Sequence, residues 1–227
     1  MPTQTEPRPY GRPYGRTDSE WMEQALALAA QGHGLASPNP LVGALIVGDA
    51  ELVAQAFHTY DGVQHAEVLA LEQAGSRARG RTLYTNLEPC SHTGRTPPCV
   101  DAILTAGVRR VVAAMTDPNP AVSGRGLERL RAAGVDVSAG LQEEEARRLN
   151  EAFACYIRTG LPHVTLKAAL TLDGKIAAAP PAGPAEVEGL GLSRVEGHRW
   201  ISSEESRAFV QTLRHRHDAV PQHTKFG

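Results

Sequence analysis

Two short motifs hold side chains that can do chemistry together. The first is His65-Ala66-Glu67, and the second runs Pro89-Cys90-Ser91-His92-Thr93-Gly94-Arg95-Thr96-Pro97-Pro98-Cys99. Between them they offer one imidazole and two thiols, a set that zinc takes in tetrahedral geometry. Three protein ligands leave the fourth position to water, as a catalytic site requires. A zinc ion held there brings the pKa of its water down toward neutrality. Glu67, two residues from the imidazole, is placed to take a proton from that water and pass it to a leaving group.

Each half alone is weak. His-Ala-Glu arises in many helices, and two cysteines flanking one loop could be ordinary buried thiols. A structural zinc site would recruit a fourth ligand, for which His92 inside the loop is a candidate. The joint pattern carries more: His-x-Glu at the start of an expected helix, then Pro-Cys and a second Cys directly after an expected strand. That order is the signature of zinc nucleobase deaminases. Cys155, far along a later helix, reads as a packed small apolar residue.

The elements that must position these motifs are legible. Thr17-Asp18-Ser19-Glu20 has the capping-box spacing, and Met22, Ala25, Leu26 and Ala29 follow at helical intervals, so a helix starts at Thr17 and ends near Gly32–Gly34. Residues 42–47 and 52–57 read as strands joined by a hairpin at Gly48-Asp49. Helices are expected over 65–74, 99–106 and 127–133, and one over 143–159. Further strands are expected over 82–87, 108–115 and 135–137. Strands alternating with helices predict a three-layer α/β/α sandwich over residues 17–161. After Pro162 the sequence predicts a strand over 163–170, an aperiodic Ala-, Pro- and Gly-rich stretch over 177–197, and a last helix over 203–215.

Composition narrows the class. The 23 Lys and Arg against 25 Asp and Glu give a net charge of −2, which argues against a nucleic-acid binder. With 41% hydrophobic and only 5% aromatic residues, the core must be built from Ala, Val and Leu. No apolar run approaches the roughly 18 residues of a membrane span, so no membrane partner is expected. Residues 1–16 repeat Arg-Pro-Tyr-Gly and lack an apolar signal region; a disordered tail is the expectation. Three cysteines cannot build a disulfide framework, which points to a reducing compartment and a cytoplasmic address.

Eight residues separate Cys90 from Cys99, where cytidine and tRNA adenosine deaminases carry a two-residue gap. The stretch from Leu87 through Cys99 resembles the bifunctional deaminase–reductase family of riboflavin biosynthesis. So do Pro38-Asn39-Pro40 with Val42-Gly43, Asp117-Pro118-Asn119-Pro120, and Gly124-Arg125-Gly126. The likeness runs from about Ser19 to Val220; Thr85-Asn86 departs from the family's usual Val-Thr. The resemblance implies a cytidine-deaminase-like domain that hydrolyses the exocyclic amine of 2,5-diamino-6-ribosylamino-4(3H)-pyrimidinone 5′-phosphate. It implies that His65, Cys90 and Cys99 hold Zn2+, that Glu67 is the proton donor, and that Asn39, His58, His92, Arg95, Asp117 and Asn119 line the pocket. The residue types agree. Asn39 is held between two prolines, and Arg95 beside Gly94 can meet a phosphate bidentately. Asp-Pro-Asn-Pro is equally a good turn. The implied partner is a small phosphorylated pyrimidine, with self-association into a homo-oligomer.

Residues 162–227 resemble the start of the family's NADPH-dependent reductase, a dihydrofolate-reductase-like fold. The matching residues include Lys167, Asp173, Trp200 and Arg214. After Val220 the likeness stops. One strand and one helix cannot close a sheet around a cofactor, so this is read as an incomplete dihydrofolate-reductase-like fragment. NADPH binding and reductase activity are expected only if that domain were complete.

Overall fold

The computed structural model describes residues 17–120, 122–170, 174 and 202–219. The chain divides into two compact units, residues 1–163 and 164–227.

The first unit is built on a five-stranded mixed sheet in the order β2-β1-β3-β4-β5, with β1 Gly43–Gly48, β2 Glu51–Phe57, β3 Thr82–Leu87, β4 Arg110–Met115 and β5 Asp136–Ala139. β1 pairs antiparallel with β2 and β3, while β3–β4 and β4–β5 are parallel. The central strands are buried almost end to end (Ala44 to Val47, Leu83 to Leu87, Val111 to Met115), as strands covered on both faces must be. The edge strands β2 and β5 alternate or are largely exposed. Five helices cover the sheet. α1 (Asp18–Ala29) and α5 (Glu143–Leu149) pack on one side; α2 (Ala66–Ala74), α3 (Cys99–Ala106) and α4 (Arg125–Ala132) form the other layer. The expected three-layer sandwich is what forms, and its core is Ala, Val, Leu and Ile with Trp21 and Tyr84 the large rings.

Local signals explain the boundaries. Thr17 Oγ1 accepts from Glu20 N at 3.3 Å and Glu20 Oε2 accepts from Thr17 N at 2.7 Å, closing the capping box. Gly43 lets α1 sit directly on β1, because a Cβ there would lie 2.4 Å from the Ala25 carbonyl oxygen. The hairpin turns on Asp49 and Ala50, both with positive φ, one residue beyond the expected pair. The helix expected over 127–133 begins two residues earlier, at Arg125, and the strand expected from 108 begins at Arg110.

Two expectations fail. The helix over 143–159 is broken into α5 and α6 (Glu151–Thr159) at Asn150, whose φ of −107° and ψ of 20° leave the helical region. The cause is tertiary: Asn150 is 2% exposed, and its side chain turns inward to both backbone groups of Leu41. Residues 163–170 form no strand. A strand needs a ladder partner, and among the described residues none flanks this segment; Val164 and Leu166 are 80% and 91% exposed.

In the second unit the described residues form α7 (Glu204–His215), capped by Ser203, whose Oγ accepts from Ser206 N at 3.1 Å. Lys167 and Arg214 are exposed, and Lys167 lies beside Phe209, Val210 and Leu213 of α7. Asp173 and Trp200, the aperiodic stretch 177–197 and residues 1–16 lie outside the described residues. No helix among those described is long and apolar enough to cross a membrane.

Candidate metal and catalytic site

His65 is the N-cap of α2, and Cys99 is the first residue of α3. Two helix N-termini therefore converge on one point, their partial positive ends favouring thiolates there. Cys90 arrives from the loop after β3. His65 Nδ1 stands 3.1 Å from Cys99 Sγ and 3.5 Å from Cys90 Sγ, and Cys99 N donates to Cys90 Sγ at 3.3 Å. The three candidate ligand atoms all lie within 4.8 Å of one another. Zinc bonds of about 2.0–2.3 Å at tetrahedral angles would separate such atoms by about 3.5–3.8 Å. The donor set fits that ion with little adjustment.

The electrostatics favour a cation. Hydrogen bonding from the Cys99 thiol, and then from the His65 imidazole, holds the Cys90 thiol well below the usual thiol range, against the opposing effect of burial. Its hydrogen bond to Cys90 raises the pKa of His65, again against burial. Negative charge is thereby favoured on the Cys90 sulfur, while the hydrogen bond with Cys90, and then burial, push the Cys99 thiol up. Glu67, in the first turn of α2, is 3% exposed, and burial pushes its carboxyl up to about 7, with the His65 charge pulling the other way. A buried carboxyl that titrates near neutrality can both accept and give up a proton.

Asn39 and His58 meet beside this centre. Asn39 Nδ2 lies 2.9 Å from His58 Nε2, and His58 Nδ1 lies 2.8 Å from the Gln64 carbonyl oxygen. Burial lowers the His58 pKa; the Gln64 contact opposes this, while the charges of His65 and Arg95 add to it. A neutral ring donating from Nδ1 to Gln64 leaves Nε2 to accept from Asn39, which fixes the amide's orientation. The His58 ring is edge-on to His65, with centroids 5.6 Å apart.

The remaining pocket candidates are placed less tightly. Arg95 is exposed, its guanidinium stacked 4.7 Å from the centroid of the Tyr60 ring. His92 is exposed and stands outside the His65–Cys90–Cys99 group, so the geometry does not make it a fourth ligand. Asp117 is half-buried, its Oδ1 accepting from Asn119 N at 2.8 Å; burial raises its pKa and that hydrogen bond opposes the rise. Cys155 is not a core residue: it is half-buried on α6, a helix with no buried residue, and its Sγ lies 3.7 Å from the Leu161 carbonyl oxygen. All three cysteines are free thiols.

Sequence reasoning assigned no role to Glu88, Asn86, Asn150 or Tyr60. Glu88 lies inside the Leu87–Cys99 stretch and Asn86 just before it, but their partners lie far along the chain. In the structure Asn86 is fully buried, donating to the Leu41 carbonyl at 2.9 Å and accepting from Gly43 N at 2.8 Å.

Residues 15–115 match the family described as the cytidine and deoxycytidylate deaminase zinc-binding region. The chain is 47% identical to the riboflavin biosynthesis protein RibD of Aquifex aeolicus over 203 residues, covering 89% of this chain and 53% of that protein. Over 89% of its length this chain is similar to that RibD protein. It is 48% identical to RibD of Escherichia coli, with 89% of this chain and 51% of that protein covered. A solved structure from Thermotoga maritima, titled a diaminohydroxyphosphoribosylaminopyrimidine deaminase/5-amino-6-(5-phosphoribosylamino)uracil reductase, superposes with a TM-score of 0.72 at 40% identity. It covers 86% of this chain and 52% of its own. The chain thus spans about half the length of the curated relatives it matches.

Proposed function

We propose that this chain catalyses the zinc-dependent hydrolytic deamination of 2,5-diamino-6-ribosylamino-4(3H)-pyrimidinone 5′-phosphate, the deaminase step of riboflavin biosynthesis. The observation that carries the reading is the convergence of His65 Nδ1 and the Cys90 and Cys99 sulfurs beside the buried carboxyl of Glu67. The names of the RibD relatives supply the pathway, and the resemblance supplies the substrate.

His65, Cys90 and Cys99 would hold a zinc ion, which would supply a water acidified enough to attack a ring carbon at neutral pH. Glu67 would carry one proton of that water to the ring nitrogen beside the attacked carbon, and the hydroxyl proton to the departing amine. The carbon–nitrogen bond breaks as the carbon–oxygen bond becomes a carbonyl, and ammonia leaves. Asn39, its amide fixed by His58, presents its remaining hydrogen-bonding groups to the edge of the base. Arg95, steadied by Tyr60, meets the phosphate.

The test is ammonia release from this pyrimidine, with zinc content measured on the same sample. Turnover accompanied by about one zinc per chain supports the reading, whereas a zinc-loaded protein that leaves the substrate intact refutes it. Repeating the assay without the ribose phosphate tells this substrate from a free base.

A further inference from the structure

Glu88 lies two residues before Cys90, just past the end of β3, and is 3% exposed. A buried carboxylate is costly unless its oxygens are satisfied. Here both are. Oε2 accepts from the backbone N–H of Asp117 at 3.0 Å and of Gly124 at 2.8 Å; Oε1 accepts from Gly126 at 2.8 Å and from Leu127 at 3.4 Å. Gly124 is the N-cap of α4, and Gly126 and Leu127 lie in its first turn. These amides have no partner inside the helix, so an anion is favoured there. A second observation shows how closely the two segments are fitted. A Cβ on Gly126 would lie 2.0 Å from the Pro89 carbonyl oxygen, so only glycine lets α4 rest on the residue next to Cys90.

Between the anchored amides of Asp117 and Gly124 stands the turn that holds Asp117 and Asn119. Asp117 Oδ1 accepts from Asn119 N, and Arg158 Nε donates to the Pro118 carbonyl at 3.3 Å. The Glu88 backbone N–H donates to the Met115 carbonyl at 2.9 Å, so the same residue holds the start of the turn from a second point.

We propose that Glu88 is a positioning residue: its buried carboxylate pins the Asp117–Asn119 turn and the N-terminus of α4 against the Cys90 loop, so that the turn forms one wall of the substrate pocket. The proposal rests on the deaminase reading for the identity of that substrate. Glu88 touches no reacting atom. It acts through Asp117 and Asn119.

The experiment compares Glu88→Gln and Glu88→Asp with the wild-type chain. Zinc content, melting temperature, steady-state ammonia release and backbone amide exchange are read on each. Glu88→Gln keeps the shape but turns one acceptor into a donor facing N–H groups. It is expected to bind zinc as the wild type does. Exchange at Asp117, Gly124, Gly126 and Leu127 should speed up at least about tenfold while Val111 to Met115 stay protected, and KM should rise about tenfold with kcat within about threefold. Glu88→Asp keeps the charge and recovers part of the loss; it also serves should Glu88→Gln fail to fold. Unchanged KM despite lost protection would reduce Glu88 to a structural tie. Activity that falls only in step with zinc content and melting temperature would overturn the proposal as well. Were the wild type itself to release no ammonia, the deaminase reading would fall, and the exchange measurement would still decide whether Glu88 anchors the turn.

Discussion

Asn86 and Asn150 meet on the backbone of Leu41. Asn86 Nδ2 and Asn150 Nδ2 both donate to the Leu41 carbonyl, at 2.9 and 3.0 Å, while Asn150 Oδ1 accepts from Leu41 N at 2.8 Å. Asn86 Oδ1 also accepts from Gly43 N at 2.8 Å, and His58 N donates to the Val42 carbonyl at 2.9 Å. A three-residue stretch is thereby fixed from three sides. Asn39 lies two residues before it, and His58 is placed across from its middle.

Asn86→Ala and Asn150→Ala should each destabilise the chain by about 1–3 kcal/mol, the cost of stranding a buried backbone group. Each single variant leaves the Leu41 carbonyl one donor, whereas the double variant leaves it none. The double loss should therefore exceed the sum of the single losses by roughly 0.5 kcal/mol or more. Urea unfolding of the four proteins measures this.

Glu67→Gln should retain zinc and lose ammonia release by a factor of roughly 10²–10⁴, the usual weight of a positioned proton carrier. Metal analysis on the assayed sample separates this from loss of the site. Full turnover by the variant would remove Glu67 from the proton path.

Removing a metal held at this site should loosen the junction of α2, α3 and the Cys90 loop, because one ion would join residues from three segments. A strong chelator should lower the melting temperature of the wild type and leave Cys99→Ala, already short of a ligand, almost unmoved. Equal shifts in both would mean that the chelator acts elsewhere.

Tyr60→Ala frees the Arg95 guanidinium, and Arg95→Ala deletes it. A cation–π contact at an exposed site is worth about 0.5–1 kcal/mol, so Tyr60→Ala should raise KM for the phosphorylated substrate by roughly two- to fivefold with kcat kept. Arg95→Ala should raise it further. Neither change should affect a substrate lacking the phosphate, and a comparable effect on that substrate would count against the phosphate role.

Asp18 supplies a pH dependence. The hydrogen bonds it accepts from Arg110, and then from Tyr84, hold its carboxyl below the usual carboxylate value, against the effect of burial. A depressed folded-state pKa adds stability that is present above the unfolded value of about 3.9 and lost as pH falls through the folded one. Asp18→Asn should therefore melt below the wild type at neutral pH, and the gap should close below about pH 4. Melting curves of the two proteins across that range give the answer, and a gap independent of pH would mean that the carboxylate charge is irrelevant.

The chemistry was largely local, and so the sequence carried it. His65 and Glu67 share one helix start, and Cys90 and Cys99 bracket one loop. The flanking strand and helix, 82–87 and 99–106, follow from periodicity and glycine stops alone, and both form with those bounds. Where one partner lay far along the chain, prediction failed. The amphipathic pattern over 143–159 continues through Asn150, and only Leu41, more than a hundred residues away, breaks it. The β-rich run 163–170 has strand composition, but a strand is made by its neighbour.

The sequence by itself determined the ligand types, their order, and the α/β sandwich that carries them, because residue chemistry and hydrophobic period are properties of short windows. Only the tertiary structure decided which buried polar groups hold the site in shape. Glu88 finds its four amides on α4 and the turn before it, and Asn86 and Asn150 find Leu41. Such bonds close across long loops, and they exist only once the sheet has brought β3, β4 and the helices to one end.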